Sequence, residues 1–259
     1  MTDELRVVRA GFAPIKGTRH LSLDEVMLDE RGAVGDRGYA LVEVDRADPS
    51  RGRVLRTVQN PSLVAVRVPF AAERLDVELP GGEVVAAAPG PTGRTVTCDY
   101  WGHEVPLELL EGPHAGLFSQ WLDRPVRLAR ARRGDVVFAG AVTLVTTASV
   151  RDLAERIGRP GLADEIARFR STVVVEAETP YAEEGWTGRM VALGDATVRI
   201  GAPIPRCAVI DVHPETGLRD GRLLKTLTGY RPRNRAGEPV FGMFAEVLTP
   251  GVVSVASRP

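Results

Sequence analysis

The chain has 259 residues, 44% of them hydrophobic and 26% charged, with a formal net charge of -1. That length buries a substantial core as one large domain or two smaller ones, and the near-neutral balance argues against a dedicated nucleic-acid binder, which would carry a basic excess. No run approaches the roughly 18 apolar residues of a membrane helix, and the opening MTDELRVVRA lacks the basic-then-apolar pattern of a secretory leader. A cytoplasmic chain with no membrane contact is expected.

In chain order the first half reads as strands. LRVVRAGFAPIKG, YALVEVD, RVLRTVQ, LVAVRVPF, LDVELP and RTVTCDY are short β-branched runs separated by Gly, Pro, Asp or Asn. Gly81-Gly82 reads as a hairpin turn. Leu117, Phe118, Trp121 and Leu122 fall at helical spacing, with Pro125 beyond them. The charged break RARRGD at 130–135 marks the boundary between residues 1–132 and 133–259. A strand, VTLVTTA, then feeds a helix with Ser149 as its expected N-cap, Val150, Leu153 and Ile157 on one face, and Gly158 as its stop. A second short helix around ADEIARF, the strands STVVVEA, ATVRIGA and AVIDVH, a helix at LLKTLTGY and closing strands in EVLTPGVVSVAS complete the pattern. The expected fold class is mixed and β-dominated (α+β), with helices as appendages.

The sequence contains no G-x-G-x-x-G, Walker, G-x-S-x-G or H-E-x-x-H motif, and its four histidines are scattered, so a zinc site is not expected. Cys98 and Cys207 allow one disulfide at most, and reduced thiols suit a cytosolic chain. Two of the 33 cationic side chains are lysine, Lys16 and Lys225. An ammonium and a guanidinium are not equivalent at a tight anion site, so these two lysines stand out from the arginine background.

Cys207 follows Arg206 and the stiff approach through Pro203 and Pro205. Taken alone it is either a small buried hydrophobe or a thiol facing a cavity, where a nearby cation would favour the thiolate. Lys16 lies in PIKG, Arg37 in GDRGY, and Arg168 and Arg170 in RFR. Each alone reads as a surface charge or an ion-pair partner. Several of them near glycine turns would suit a phosphate-bearing ligand.

Taken together, FAPIKGTRHLSLDEVMLDERGAVGDRGYALVEVD with LRTVQNPSL resembles the N-terminal β-barrel module of MOSC proteins, named for the C-terminal domain of molybdenum-cofactor sulfurase. LVTTASVRDLAERIG, RFRSTVVVEA, PYAEEGW, PRCAVIDVHPETG, LLKTLTGYR and FGMFAEVLTPG are similar to successive blocks of the MOSC domain itself. The resemblance implies a MOSC β-barrel domain packed against an N-terminal β-barrel-like module. It implies a molybdenum cofactor (molybdopterin with Mo), with Cys207 as the metal ligand and catalytic residue. Cofactor contacts map onto Lys16, Gly17, Arg37, Arg170, Thr172, Pro205 and Arg206.

One block departs from the family pattern: RFRPN reads RFRST here, placing Ser171 and Thr172 where a proline and an amide are usual. A hydroxyl donates one hydrogen bond but cannot reproduce both faces of an amide.

The activity implied by the resemblance is reduction of N–O bonds in N-hydroxylated or N-oxide small molecules. Electrons would come from a separate donor protein of ferredoxin or cytochrome type with its reductase. Two alternatives stand beside it: a sulfur carrier using a persulfide on Cys207, and a cofactor-binding module without turnover. No role is assigned to Lys225 or Cys98.

Overall fold

The computed structural model describes residues 3–71 and 74–256. The architecture is β-dominated, and among the described residues three α-helices of eight or more residues accompany four sheets. Five strands close a barrel in the order His103–Glu111, Arg127–Arg130, Tyr39–Val44, Arg51–Val54, Gly90–Tyr100. A seven-stranded sheet runs Asp3–Glu4, Met190–Leu193, Ala196–Pro205, Val240–Thr249, Val142–Thr146, Val173–Val175, Val7–Ala10. Its two flanking strands come from the start of the chain: Asp3 and Glu4 pair in parallel with Val191 and Ala192, and Val7–Ala10 pairs antiparallel with Val173–Val175. Segment 25–33 pairs with Gly251–Ser254, so the beginning of the chain is woven into the second half.

Alternation along the strands sets the cores. In Ala196–Pro205 the side chains of Ala196, Val198 and Ile200 are buried beside Leu144, Met243 and Ala245 of neighbouring strands. Inside the barrel Cys98 sits among Val42, Val96 and Leu107, fully buried and free, and burial pushes its thiol up to about 11. Helix α1 (Pro113–Trp121) closes one side of the barrel through Phe118, with Leu117, Trp121 and Leu122 half-buried around it. Burying a phenyl side chain of this kind contributes about 2 kcal/mol.

Helix α2 (Thr147–Ile157) buries Val150 and Leu153 and ends at Gly158, whose φ of 62° is the left-handed stop. Its N-cap is Thr146 rather than Ser149: the Thr146 hydroxyl accepts the Ser149 N–H, which places Ser149 inside the first turn. Helix α3 (Leu223–Tyr230) coincides with LLKTLTGY, and Lys225 lies exposed on it.

Three other expectations change. The run ADEIARF forms 3-10 turns at Pro160–Ala163 and Ile166–Phe169 rather than a helix. LVAVRVPF is not a strand: its residues 63–65 complete the 3-10 turn Pro61–Ala65, which Pro61 starts with a preset φ, and beyond it Arg67 makes an isolated bridge to Glu78. AVIDVH curls into a 3-10 turn at Ala208–Asp211; the Asp211 carboxylate accepts the Leu224 N–H at the start of α3, which overrides the β-branched propensity. HEVPLELLE, which the residue patterns did not assign, forms a long barrel strand, His103–Glu111, that includes Pro106.

Candidate functional site

Residues 11–15 carry the chain from the seven-stranded sheet to the barrel, where Ile15 bridges Tyr39. The Lys16 N–H donates to the Tyr39 carbonyl at 2.8 Å and the Arg37 N–H to the Ala13 carbonyl at 2.8 Å. These bonds place the Lys16 and Arg37 turns side by side. Gly17 has φ 96°, and a Cβ there would stand 3.3 Å from the Thr57 hydroxyl oxygen, so glycine meets both the conformation and the space. Arg37 (φ 47°) and Arg170 (φ 51°) occupy the same left-handed region without glycine's freedom. Such backbone costs about 1 kcal/mol or more per residue and concentrates at functional sites.

Arg170 joins the cluster from the second half by donating Nη1–H to the Thr18 carbonyl at 2.8 Å. Lys16 keeps some solvent contact, yet protein surrounds its ammonium densely enough that desolvation, then the charges of Arg37 and Arg170, push it down to about 7. Asp36 and Cys207 act on it in the opposite sense. Asp36 is committed to Arg37, with Nε–Oδ1 at 3.0 Å and Nη2–Oδ2 at 2.9 Å. Burial, with Arg37 next, brings Arg170 down to about 10. Arg9 is likewise lowered to about 10 by burial, and its Nη1 is buried without a partner. His20 lies against Arg9 (Nη2 to Nδ1, 3.1 Å), and burial with the charge of Arg9 holds its imidazole neutral. The cluster is therefore an excess of poorly solvated cations, a costly arrangement without an anion to match.

Cys207 is exposed and free, at the N-cap of the turn Ala208–Asp211, and it is close enough to Lys16 and Arg206 to oppose the lowering that burial imposes on both. Pro205, half-buried, pairs with Val240 after three register irregularities in the strand, so the prolines sit in a bulged strand end rather than outside the ladder. Arg206 is buried beside the stacked rings of Phe169 and Phe241, 5.6 and 5.9 Å from their centroids. Its Nε–H donates to the Phe241 carbonyl and its Nη1–H to the Phe169 carbonyl, both at 2.8 Å, while Nη2 has no partner. Arg206 thus clips the strand end before Cys207 to the turn that presents Arg170.

Thr172 is buried and its hydroxyl is engaged with Thr143, accepting the Thr143 N–H at 3.2 Å. Of the two neighbours, it is Ser171 whose buried hydroxyl is left without a partner. Residue patterns marked Ser171 as a departure from RFRPN but gave no role for its hydroxyl, and they did not single out Asp36 or Glu183. Glu183 is wholly buried at the first turn of α2, where Ser149 and Thr146 donate to its carboxylate at 2.8 and 2.9 Å, and its charge favours the charged form of Arg206. The signal for Asp36 was its place beside Arg37 in GDRGY; Ser171 and Glu183 needed three-dimensional contacts.

Gly242 is where this site meets the sheet. Its φ is 77°, and a Cβ would stand 2.5 Å from the Leu144 carbonyl oxygen and 3.1 Å from Arg206 Nη2. Gly242→Ala is expected to cost roughly 2 kcal/mol or more, read as a lower urea midpoint at unchanged slope. An unchanged midpoint would show that this backbone is not constrained as described.

A second cluster is differently constituted. Ligand atoms of Glu165, His213 and Asp220 lie within 4.8 Å of one another. Both carboxylates are paired with Arg159 and Arg168, which already supply positive charge there.

The family model for the MOSC N-terminal beta barrel domain matches residues 5–125, and that for the MOSC domain matches residues 127–257. The chain belongs to the MOSC family. Among curated relatives it is 24% identical to the molybdenum cofactor sulfurase of Danio rerio, over 95% of this chain and 33% of that protein. It is 24% identical to mitochondrial amidoxime reducing component 2 of Rattus norvegicus, over 96% of this chain and 81% of that one. It is 32% identical to mitochondrial amidoxime-reducing component 1 of Mus musculus, over 45% of this chain and 35% of that one. The chain thus spans about a third of the sulfurase it matches along its length. No described helix is long and apolar enough to cross a membrane.

Proposed function

We propose that this chain holds a molybdenum cofactor through Cys207 and reduces N–O bonds in N-hydroxylated or N-oxide small molecules. The observation that carries the reading is the excess of half-buried, poorly solvated cations beside an exposed thiol. Lys16, Arg37 and Arg170 converge from distant parts of the sequence, and the one carboxylate among them, Asp36, is already paired with Arg37. A pterin phosphate supplies the missing negative charge, and thiolate sulfur is the ligand type that suits a metal held by dithiolene sulfurs.

The donor set fits that group. Lys16, Gly17, Arg37 and Arg170 would hold its anionic part, and the unpartnered Ser171 hydroxyl and Arg206 Nη2 are buried donors awaiting an acceptor. Pro205 and the Arg206 clip hold Cys207 in place, and Thr172 braces the strand behind Ser171. When bound, the cofactor supplies a two-electron redox centre. The overall reaction consumes two electrons and two protons, breaks the N–O bond and releases the oxygen as water. With two free cysteines, one buried in the barrel, the chain lacks the ligands for an iron–sulfur relay of its own. The electrons are therefore assigned to a separate ferredoxin- or cytochrome-type donor in the cytosol. The relative that matches this chain along most of both lengths is named for amidoxime reduction, which favours this reading.

The exposure of Cys207 also suits a carrier that would hold a persulfide there, as the sulfurase relatives suggest. Protein purified from a cofactor-making host separates the two. Near-stoichiometric molybdenum and reduction of an amidoxime with a chemically reduced viologen are expected; persulfide on Cys207 with no molybdenum would overturn the reductase reading.

A further inference from the structure

The hairpin joining Gly90–Tyr100 to His103–Glu111 turns through Trp101 and Gly102, with φ of 56° and 82°. A two-residue turn with both φ values positive favours Asn or Gly at its first position, since a Cβ is strained there. Folding therefore does not account for tryptophan at residue 101. Its indole is 50% exposed and faces Phe138, itself 42% exposed, with ring centroids 5.2 Å apart. Phe138 arrives from the connection after the barrel's Arg127–Arg130 strand, so two separate loops supply one aromatic surface. The Arg56 guanidinium lies 5.2 Å from the Trp101 ring and has no carboxylate partner among the described residues.

This surface adjoins the cation cluster. Tyr100, one residue before Trp101, has Lys16 Nζ 5.3 Å from its ring centroid. Burial raises the Tyr100 hydroxyl pKa, and the charges of Arg37 and Arg56 both act against that rise, so Tyr100 stands between the cluster and Arg56. Arg56 also lines a cleft of about 350 Å³, a volume suited to a small molecule. Within that cleft Arg53, Arg56 and Arg124 face two carboxylates, Glu43 and Asp99; Glu43 pairs with Arg53 and Arg124 and Asp99 accepts the Gly102 N–H, so the lining keeps a net positive charge and Arg56 is the arginine without an ion pair.

We propose that Trp101, Phe138 and Arg56 form the substrate-recognition surface of this site, selecting planar aromatic N-hydroxylated compounds that carry an anionic group. The proposal rests on the reading of the site as an N–O reductase. The ring stacks on the exposed indole and phenyl faces, which favour offset or edge contacts. The anionic group takes the free N–H edge of Arg56, whose stacking on Trp101 holds it in place before the ligand arrives.

Calorimetric titration of the purified full-length chain with acetamidoxime, benzamidoxime and 4-carboxybenzamidoxime tests this without requiring turnover. Trp101→Ala and Phe138→Ala are each expected to weaken the two aromatic compounds relative to acetamidoxime by about 5- to 10-fold. Arg56→Gln is expected to weaken the carboxylated compound relative to benzamidoxime by about tenfold. Phe138→Ala keeps the test open should the Trp101 turn rearrange. Ratios unchanged in all three variants overturn the proposal. If the protein then still holds molybdenum and reduces acetamidoxime, the recognition surface alone is wrong. Shifted ratios in protein that never holds molybdenum support the surface and count against the cofactor reading instead.

Discussion

Lys16→Met is expected to make the cofactor-free protein more stable at pH 7 and at the same time to strip it of its cofactor. The Lys16 pKa stands at about 7 in the folded chain against an ordinary 10.5, because burial and the neighbouring Arg37 and Arg170 disfavour its charge. Below about pH 7, both folded and unfolded states hold the proton, and the folded state bears the whole penalty; at pH 7 it still bears most of it. Between about 7 and 10.5 the unfolded state binds more protons, so stability rises with pH by up to about 1.4 kcal/mol per unit, less where water reaches the ammonium. Above 10.5 the penalty is gone. The lowered arginines, Arg9, Arg170 and Arg206 at about 10, exchange their protons largely above this window.

Methionine fills a similar volume without charge, so the variant should lose this slope and melt about 3 °C or more above the wild type at pH 7. Cofactor retention should fall by about tenfold or more, since a charge-assisted contact to phosphate is lost. Melting curves from pH 6 to 10 on both proteins check the first part and metal analysis the second. Parallel pH profiles, or a variant that melts lower at pH 7, would mean that Lys16 is not a strained, anion-seeking cation.

The exchange of stability for binding explains why the site is built from residues that strain the fold. Arg37 and Arg170 hold left-handed backbone that glycine would take more readily, and Arg206 is buried with one nitrogen unpartnered. Each is a local cost that the anion of the proposed cofactor would offset. The connections run across the chain: Arg170 bonds to Thr18, and Arg206 bonds to Phe169 and Phe241.

How much of this was legible in the residues differs by level. Helix α3 was readable because its apolar spacing matches the face it buries through Leu223 and Leu227, and α2 because Gly158 stops it. AVIDVH and LVAVRVPF were misread as strands because their β-branched composition is local, whereas the bond from Leu224 to Asp211 and the position of Pro61 decide their shape. Convergence of the cations could not be read from single residues. It was supplied as an expectation by family resemblance, and the structure now shows Lys16, Arg37 and Arg170 acting on one another. The division of labour at 171 and 172 was not legible at all: Thr172 is engaged with Thr143, and Ser171 holds the unpartnered hydroxyl.

The second large effect is expected at Cys207. The side chain is exposed and outside the packed cores, so Cys207→Ser should fold with stability within about 0.5 kcal/mol of the wild type. What it removes is the soft sulfur ligand, which a neutral hydroxyl does not replace. The measurement that bears most directly on the central claim is molybdenum content, by elemental analysis, of wild-type and Cys207→Ser protein purified in parallel from a cofactor-making host. Near-stoichiometric metal in the wild type and little or none in the variant, with matching melting curves, is the predicted result. A Cys207→Ser protein that retains molybdenum and reduces an amidoxime at the wild-type rate would contradict it.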